Sequence, residues 1–307
     1  MLRSALLALS RQGRVRDAIV RLPVTRDVVS RFVAGETVAA ALPVIRSLVD
    51  DGLVVTVDHL GEDTRVAEQA DRTVAAYLDL LRTIEAHDLA GRVEVSLKLS
   101  AVGQFLAEDG EATALRNART ICAEAARIGT TVTVDMEDHT TTDSTLRLVG
   151  ALRGDFPWVG AVLQSSLRRT IDDCAALGVP GSRIRLCKGA YASPPAVAYE
   201  SRHEVDLSYV RCLRLLLDGG AHAMVATHDP RLVAVTEALV RGRDPGTYEF
   251  QMLYGIRPLE QRRLAAAGHT VRVYVPYGTD WYGYFVRRLA ERPANLAFFL
   301  RAMLGRR

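Results

Sequence analysis

Near the C-terminus, Tyr284, Arg287, Arg288 and Glu291 stand at i, i+3, i+4 and i+7, the spacing that puts four side chains on one face of a helix. Two guanidiniums on a rigid helix can hold a small carboxylate through planar, bidentate bonds. A surface charge cluster in an arginine-rich chain is the competing reading. Glu291 can pair with both arginines, holding them in place at the cost of part of their charge. The same segment, VRVYVPYGTDWYGYFVRRLAERP (271–293), carries Tyr274, Tyr277, Trp281 and Tyr282. Aromatic bodies with polar tips suit a pocket that clasps a small ring. Lysine points elsewhere in the chain. Only Lys98 and Lys188 are lysines, and every other member of the 39 Lys and Arg side chains is an arginine. A compact point charge on a flexible stem does not replace a planar fork, so a retained lysine marks a place where guanidinium does not fit. Both close short apolar runs, SLKLS (96–100) and RLCKGA (185–190).

Positioning these groups falls to an alternating chain. From residue 53, short β-branched apolar runs recur at 53–60, 93–100, 131–137, 158–165, 183–190, 221–228, 248–253 and 271–278, with helical stretches such as 64–86, 111–127, 206–217 and 258–267 between them. Gly129, Gly178 and Gly268 stand where helix C-caps stand. Eight strands each followed by a helix predict an α/β fold of the (β/α)8 type. A doubly wound open sheet is the competitor, but no GxGxxG follows the first run. Residues 1–45 read as a helical arm broken at Pro23 and Gly35, and residues 46–307 as the barrel with its C-terminal helices. Thr279 or Asp280 can cap a last helix that Pro293 interrupts.

In such barrels chemistry sits where strands end. The polar residues at those ends are Asp58, His59, Lys98, Asp135, Glu137, Gln164, Arg185, Lys188, Thr227, His228, Gln251 and Tyr274. Asp135, Glu137, Asp138 and His139 could suggest a metal cluster. Strand alternation, which sends Asp135 and Glu137 one way and Asp138 the other, weakens that reading. Arg168 and Arg169 read as residues of a solvated helix.

Composition bounds the rest. Hydrophobic content of 49% and charged content of 24% describe a soluble globular chain, and a net charge of +3 is too small to imply nucleic acid. Cys122, Cys174, Cys187 and Cys212 are widely spaced without CxxC, as reduced cytosolic thiols are. No apolar run approaches the roughly 20 residues of a membrane span. The Arg-rich start reads as an amphipathic helix rather than a targeting peptide, and is a candidate for peripheral contact with a membrane surface.

The 271–295 segment resembles the C-terminal signature of the proline dehydrogenase family, especially its short, single-function bacterial form. SLKLS, VDMED, VLQSSLRRT, RLCKGAY, ATHD and YEFQMLYG resemble the other family motifs in the same order, and RFVAGET (31–37) in the arm matches too. The resemblance covers nearly the whole chain. It implies a flavoenzyme on a (β/α)8 barrel that oxidises L-proline to Δ1-pyrroline-5-carboxylate and passes electrons from FAD to a membrane quinone. It implies that Arg287 and Arg288 bind the proline carboxylate with Lys98 beside them, that Tyr274 and Tyr284 flank the ring, and that Leu253 adds apolar contact. Asp135 would organise the charge network and serve as an anion for Lys98. Arg185 would stand at the isoalloxazine edge, Gln164 would hydrogen-bond the ring system, and Met136 would pack nearby. Lys188, Gly189 and Ala190 would line the cofactor chain, with Thr227 and His228 completing the FAD site.

Departures from the family pattern are local. Cys187 stands where an aliphatic residue is usual, Ser166 and Asp229 replace an expected tyrosine and asparagine, and Ala192 replaces the tryptophan of the long bifunctional members. No aldehyde dehydrogenase region is expected, so a separate pyrroline-5-carboxylate dehydrogenase would perform the next step, in the cytoplasm or at the inner face of the membrane. Turnover of 4-hydroxyproline and ligand binding without turnover are the two alternatives. Tyr274 favours proline, and the complete set Lys98, Asp135, Arg185, Arg287 and Arg288 favours catalysis.

Overall fold

The computed structural model describes residues 29–291, with side chains through Val286. The N-terminal amphipathic helix, the break at Pro23 and the interruption at Pro293 lie outside these residues. Helix α1 (Val38–Asp50) leads into β1 (Val54–His59), α2 (Ala67–Ala86), β2 (Val93–Leu97), α3 (Gly110–Ile128), β3 (Val132–Val134), α4 (Thr142–Asp155), β4 (Gly160–Gln164) and α5 (Thr170–Leu177). Then follow β5 (Arg183–Cys187), α6 (Arg202–Asp218), β6 (His222–Ala226), α7 (Pro230–Leu239), β7 (Tyr248–Leu253), α8 (Pro258–Ala266), β8 (Val271–Tyr277) and α9 (Trp281–Glu291). Each strand pairs in parallel with the next, and β8 closes on β1. The expected (β/α)8 barrel is the observed one.

Alternation along the strands divides two environments. Val55, Val57, Val93, Val95, Leu97, Val132, Val134, Ile184, Leu186, Val225, Phe250, Val273 and Val275 join the main apolar core with the buried faces of the helices. The intervening residues fill the inside of the barrel and are largely polar: Thr56 and Asp58, Glu94 and Ser96, Thr133, Arg183 and Arg185, Glu249 and Gln251, and Arg272 with Tyr274. Most of these are buried, so each must find a partner inside the barrel. They do so across it: Glu94 accepts from Thr56, Thr131 and Arg183 at 2.7, 2.9 and 2.6 Å, and Glu249 accepts from Arg272 at 2.7 and 3.0 Å. Burial alone would favour the neutral acid at Glu94, but Arg272 and Arg183 outweigh it and hold this carboxyl down at about 2.

One expectation changes. The third run, expected over 131–137, is a strand only from Val132 to Val134. Beyond it, Asp135 and Glu137 turn to different partners, so strict alternation does not carry both carboxylates into one place. Gly178 is the C-cap of α5, as expected, with φ −78°. Space is its requirement, since a Cβ there would lie 2.5 Å from the Cys174 carbonyl oxygen. Gly129 does take the left-handed cap conformation, at φ +77°.

Helix α1 runs across the arm boundary expected at residue 45, and its Val38, Ala41 and Ile45 are buried in the main core. Ahead of it the chain lies along the end of β8: Ala34 N–H donates to the Pro276 carbonyl and Gly278 N–H to the Gly35 carbonyl, both at 2.9 Å. Val29, Phe32 and Val33 pack there against Leu60 and against Trp281, Tyr282, Tyr284, Phe285 and Val286 of α9. The Arg31 carbonyl approaches Gly255, at φ +74°, so closely that any Cβ would collide with it.

Candidate active site

The C-terminal ends of β1, β2, β3, β5 and β8 bring two cations, two carboxylates and a phenol together. Lys98 immediately follows β2, and its Nζ donates to both oxygens of Asp58 on β1, at 2.8 and 2.7 Å. Asp135 lies farther off, 3.9 Å from the same nitrogen. Burial would push the Lys98 ammonium below its ordinary range, but Asp58 and then Asp135 outweigh this and hold it above. Asp135 Oδ1 accepts from Arg185 Nη1 at 2.6 Å, and Oδ2 accepts from the Tyr274 hydroxyl at 2.7 Å. The Arg185 guanidinium also stands over the Tyr274 ring, 5.3 Å from its centroid.

Arg185 is fixed from below as well. Its Nε donates to Gln251 Oε1 at 2.6 Å and its Nη1 to Ser96 Oγ at 3.1 Å, while Glu94 lies 3.5 Å from Nη2. Gln251 in turn donates through Nε2 to Glu249 at 2.5 Å. The acidic partner fixes which end of the amide carries the oxygen, so Gln251 must present its acceptor to Arg185. The result is a cation whose plane is set by four strands.

Around β4 to β7 the neighbouring residues are less charged. Gln164 Nε2 donates to the Glu137 carbonyl at 2.8 Å, which turns Oε1 towards Gly189. Gly189 has φ +108°, and a Cβ there would collide with Ser166 Oγ and lie 3.1 Å from Gln164 Oε1. Met136 and Thr227 are buried, and Ala190 is half-buried. Thr227 Oγ1 accepts the Asp229 N–H at 3.2 Å. His228 Nε2 accepts the Leu253 N–H at 2.9 Å, which ties the end of β6 to that of β7 and leaves the ring proton on Nδ1. Leu253 is in register with Tyr274. The Glu137 carboxylate accepts from Ser100 Oγ at 2.6 Å and Ser100 N–H at 3.3 Å, and burial raises this acid to about 7.

On family comparison, the family model described as proline dehydrogenase matches residues 41–301. The chain belongs to the proline dehydrogenase family. It is 44% identical to the proline dehydrogenase of Deinococcus radiodurans over 91% of this chain and 90% of that protein. It is 38% identical to proline dehydrogenase 1 of Bacillus subtilis over 99% of both. Among solved structures, proline utilization A (PutA) from Bdellovibrio bacteriovorus, inactivated by N-propargylglycine, superposes with a TM-score of 0.80 at 24% identity and shares the fold. That match covers 92% of this chain and 34% of the PutA chain, so the likeness is to one portion of a longer protein.

Within this family member, Lys98, Asp135, Arg185 and Tyr274, singled out from the sequence, converge at one mouth. Tyr284 is buried on the first turns of α9 among the residues that pack on Phe32. Arg287, Arg288 and Glu291 follow on the same helix, and their side chains lie outside the described residues. Lys188 stands apart from the Asp135 centre. Its ammonium is shared by Asp206 and Asp229, the latter at 2.9 Å, and Arg231 reaches both carboxylates. Among the described residues, two of its three N–H donors are thus engaged. Arg169 bridges Asp143 and Asp173 at the start of α5, and Arg168 lies over the Tyr199 ring at 4.7 Å. The partnership of Asp58 with Lys98, and the support of Arg185 by Ser96, Glu94, Gln251 and Glu249, were not assigned from sequence. Period-two spacing carries only part of the missing signal: Glu94, Ser96 and Lys98 alternate with Val93, Val95 and Leu97 and so share one face, but the groups they meet across the barrel are not in it.

Proposed function

We propose that this protein oxidises L-proline to Δ1-pyrroline-5-carboxylate, with FAD as the hydride acceptor and a quinone as the later electron acceptor. The observation that carries the proposal is the Asp135 carboxylate held between Arg185 and Tyr274 at the mouth of a proline dehydrogenase family barrel. The donor set fits FAD. Gln164 Oε1 offers an acceptor for a ring N–H, Arg185 offers a fixed cation, and Gly189 leaves backbone open to close approach. Met136, Lys188, Ala190, Thr227 and His228 would complete the cofactor contacts. When bound, FAD supplies the two-electron chemistry, accepting hydride from the proline carbon next to nitrogen.

The chain's own residues bind and orient. Arg287 and Arg288 on α9 would hold the proline carboxylate, kept in place by Glu291, with the Lys98 charge alongside. Tyr274, Tyr284 and Leu253 would bracket the ring, so that the reacting carbon meets the acceptor in one orientation. The Arg185 guanidinium would stabilise negative charge that develops on the acceptor. Both Asp135 oxygens already accept hydrogen bonds, which supports an organising role rather than that of a free base. Buried Tyr274 keeps its proton, because burial and then the Asp135 charge drive its acidity far down.

Anaerobic titration tests the reading. The purified protein is expected to be yellow, to bleach on addition of proline and to recover its colour with a soluble quinone. A colourless protein that cannot be reconstituted with FAD would sink the flavoenzyme assignment. Bleaching by 4-hydroxyproline but not by proline would move the substrate to the hydroxylated ring.

A further inference from the structure

We propose that Asp58 is a positioning residue for the reaction: it holds Lys98 charged and aimed, and thereby leaves Asp135 to Arg185 and Tyr274. The inference rests on the proline-binding reading of the mouth. Asp58 is fully enclosed, whereas 14% of the Asp135 side chain is exposed. Substrate can therefore reach the neighbourhood of Asp135 but cannot touch Asp58. Both Asp58 oxygens accept from the Lys98 ammonium, at 2.8 and 2.7 Å, and the Tyr274 hydroxyl lies within reach of the same carboxylate.

A sealed ion pair is a poor device for stability alone, since an apolar pair of similar volume serves as well or better. What this pair accomplishes is a division of charge. Each cation has its own nearest carboxylate: Lys98 has Asp58, and Arg185 has Asp135 at 2.6 Å with Glu94 farther off at 3.5 Å. Remove the Asp58 charge, and Lys98 has Asp135 as its nearest remaining anion, 3.9 Å away. Lys98 would then either turn to Asp135, competing with Arg185 and Tyr274, or release its proton in the buried mouth. Among the described residues, the ionisable groups that face Lys98 are Asp58 and His59 at the end of β1, Asp135 and Glu137 after β3, Tyr191 after β5 and Tyr274 on β8. At neutral pH only the carboxylates in this set can offset the ammonium charge.

The scarcity of lysine makes the test direct. In the full-length enzyme labelled with 13C-lysine, the side-chain NMR signals come from Lys98 and Lys188 alone, and Lys98→Met assigns them. In the native enzyme the Lys98 signal is expected to show no deprotonation at any pH the fold survives. In Asp58→Asn it is expected to titrate below the ordinary lysine range, with Lys188 unchanged as the internal reference. The KM for proline should rise about tenfold or more along that same titration, the loss expected for a charged hydrogen bond, with kcat less affected. A Lys98 signal that stays protonated in Asp58→Asn, with a KM for proline equal to the native value at every pH, overturns the proposal; a protonated Lys98 with a raised KM is the outcome expected if it turns to Asp135. Should Asp58→Asn fail to fold, Lys98→Met is compared with the neutral pair Lys98→Met/Asp58→Asn. Equal KM and kcat are expected, with the pair more stable. A further kinetic loss on adding Asp58→Asn would show that Asp58 acts without Lys98 and overturns the inference. If the native enzyme oxidises no proline, the functional reading fails separately, and the lysine signal still decides whether Asp58 holds the charge.

Discussion

Glu137 sits one step from the charged mouth and behaves unlike its neighbours. Burial raises its carboxyl to about 7 against the bonds from Ser100 and the charge of Lys98. The native state therefore holds a proton that the unfolded chain releases above about 4.5. Its contribution to stability is full below that pH and is lost as pH rises through about 7. In Glu137→Gln this pH dependence should vanish. The stability difference between variant and native protein is expected to shift in favour of the variant by roughly 1–3 kcal/mol between pH 4.5 and pH 8. Urea unfolding at both pH values measures it, and a difference that does not move with pH removes Glu137 from the list of buried acids. At this scale the sequence was readable where a residue type was rare or stood at a strand end, as for Lys98, Asp135 and Arg185. It was silent where partners had to be matched across the barrel. The contact of Asp58 with Lys98 depends on strand order and on how far each strand extends, and spacing within either run contains neither.

The elements were legible because two periods, 2 and 3.6, alternate cleanly along the chain. β7 begins and ends where its apolar run does, at Tyr248 and Leu253. β3 does not, because its run continues into residues that serve the mouth rather than the ladder. A second feature of β3 was invisible in the pattern. Gly160, the first residue of β4, lies against Thr133, and a Cβ there would stand 2.6 Å from Thr133 Oγ1. Thr133 faces the inside of the barrel, where Glu94 limits its movement. Gly160→Ala is expected to destabilise the protein by about 1–3 kcal/mol through overpacking, read as a Tm lowered by several degrees in differential scanning calorimetry. An unchanged Tm would mean that β3 and β4 can separate at no cost.

At the scale of the molecule, the helix that bears Tyr284, Arg287 and Arg288 is not held by the barrel alone. Residues 29–33 form its other wall, and the Phe32 and Phe285 rings lie 6.4 Å apart at an angle of 52°. Phe32→Ala removes that support at a distance from the charged mouth. The KM for proline should rise at least about threefold, because small displacements of binding groups are costly, while flavin content stays at the native level. Native KM with a lowered Tm would assign Phe32 to stability only. The sequence named RFVAGET as part of the resemblance, but gave no sign that it lies against the last helix, since some 250 residues separate the two in the chain.

That juxtaposition also orders events during synthesis. β1 receives β8 as its second neighbour, and residues 29–33 receive α9, only after residues 271–291 have been made. Until then the first strand has an unpaired edge and the first apolar cluster lacks its larger half, surfaces that invite wrong association. A ribosome-bound chain stopped before β8 could form much of the interior ion-pair network but could not close the wall. Proline recognition would then appear in the nascent protein only together with closure of the barrel.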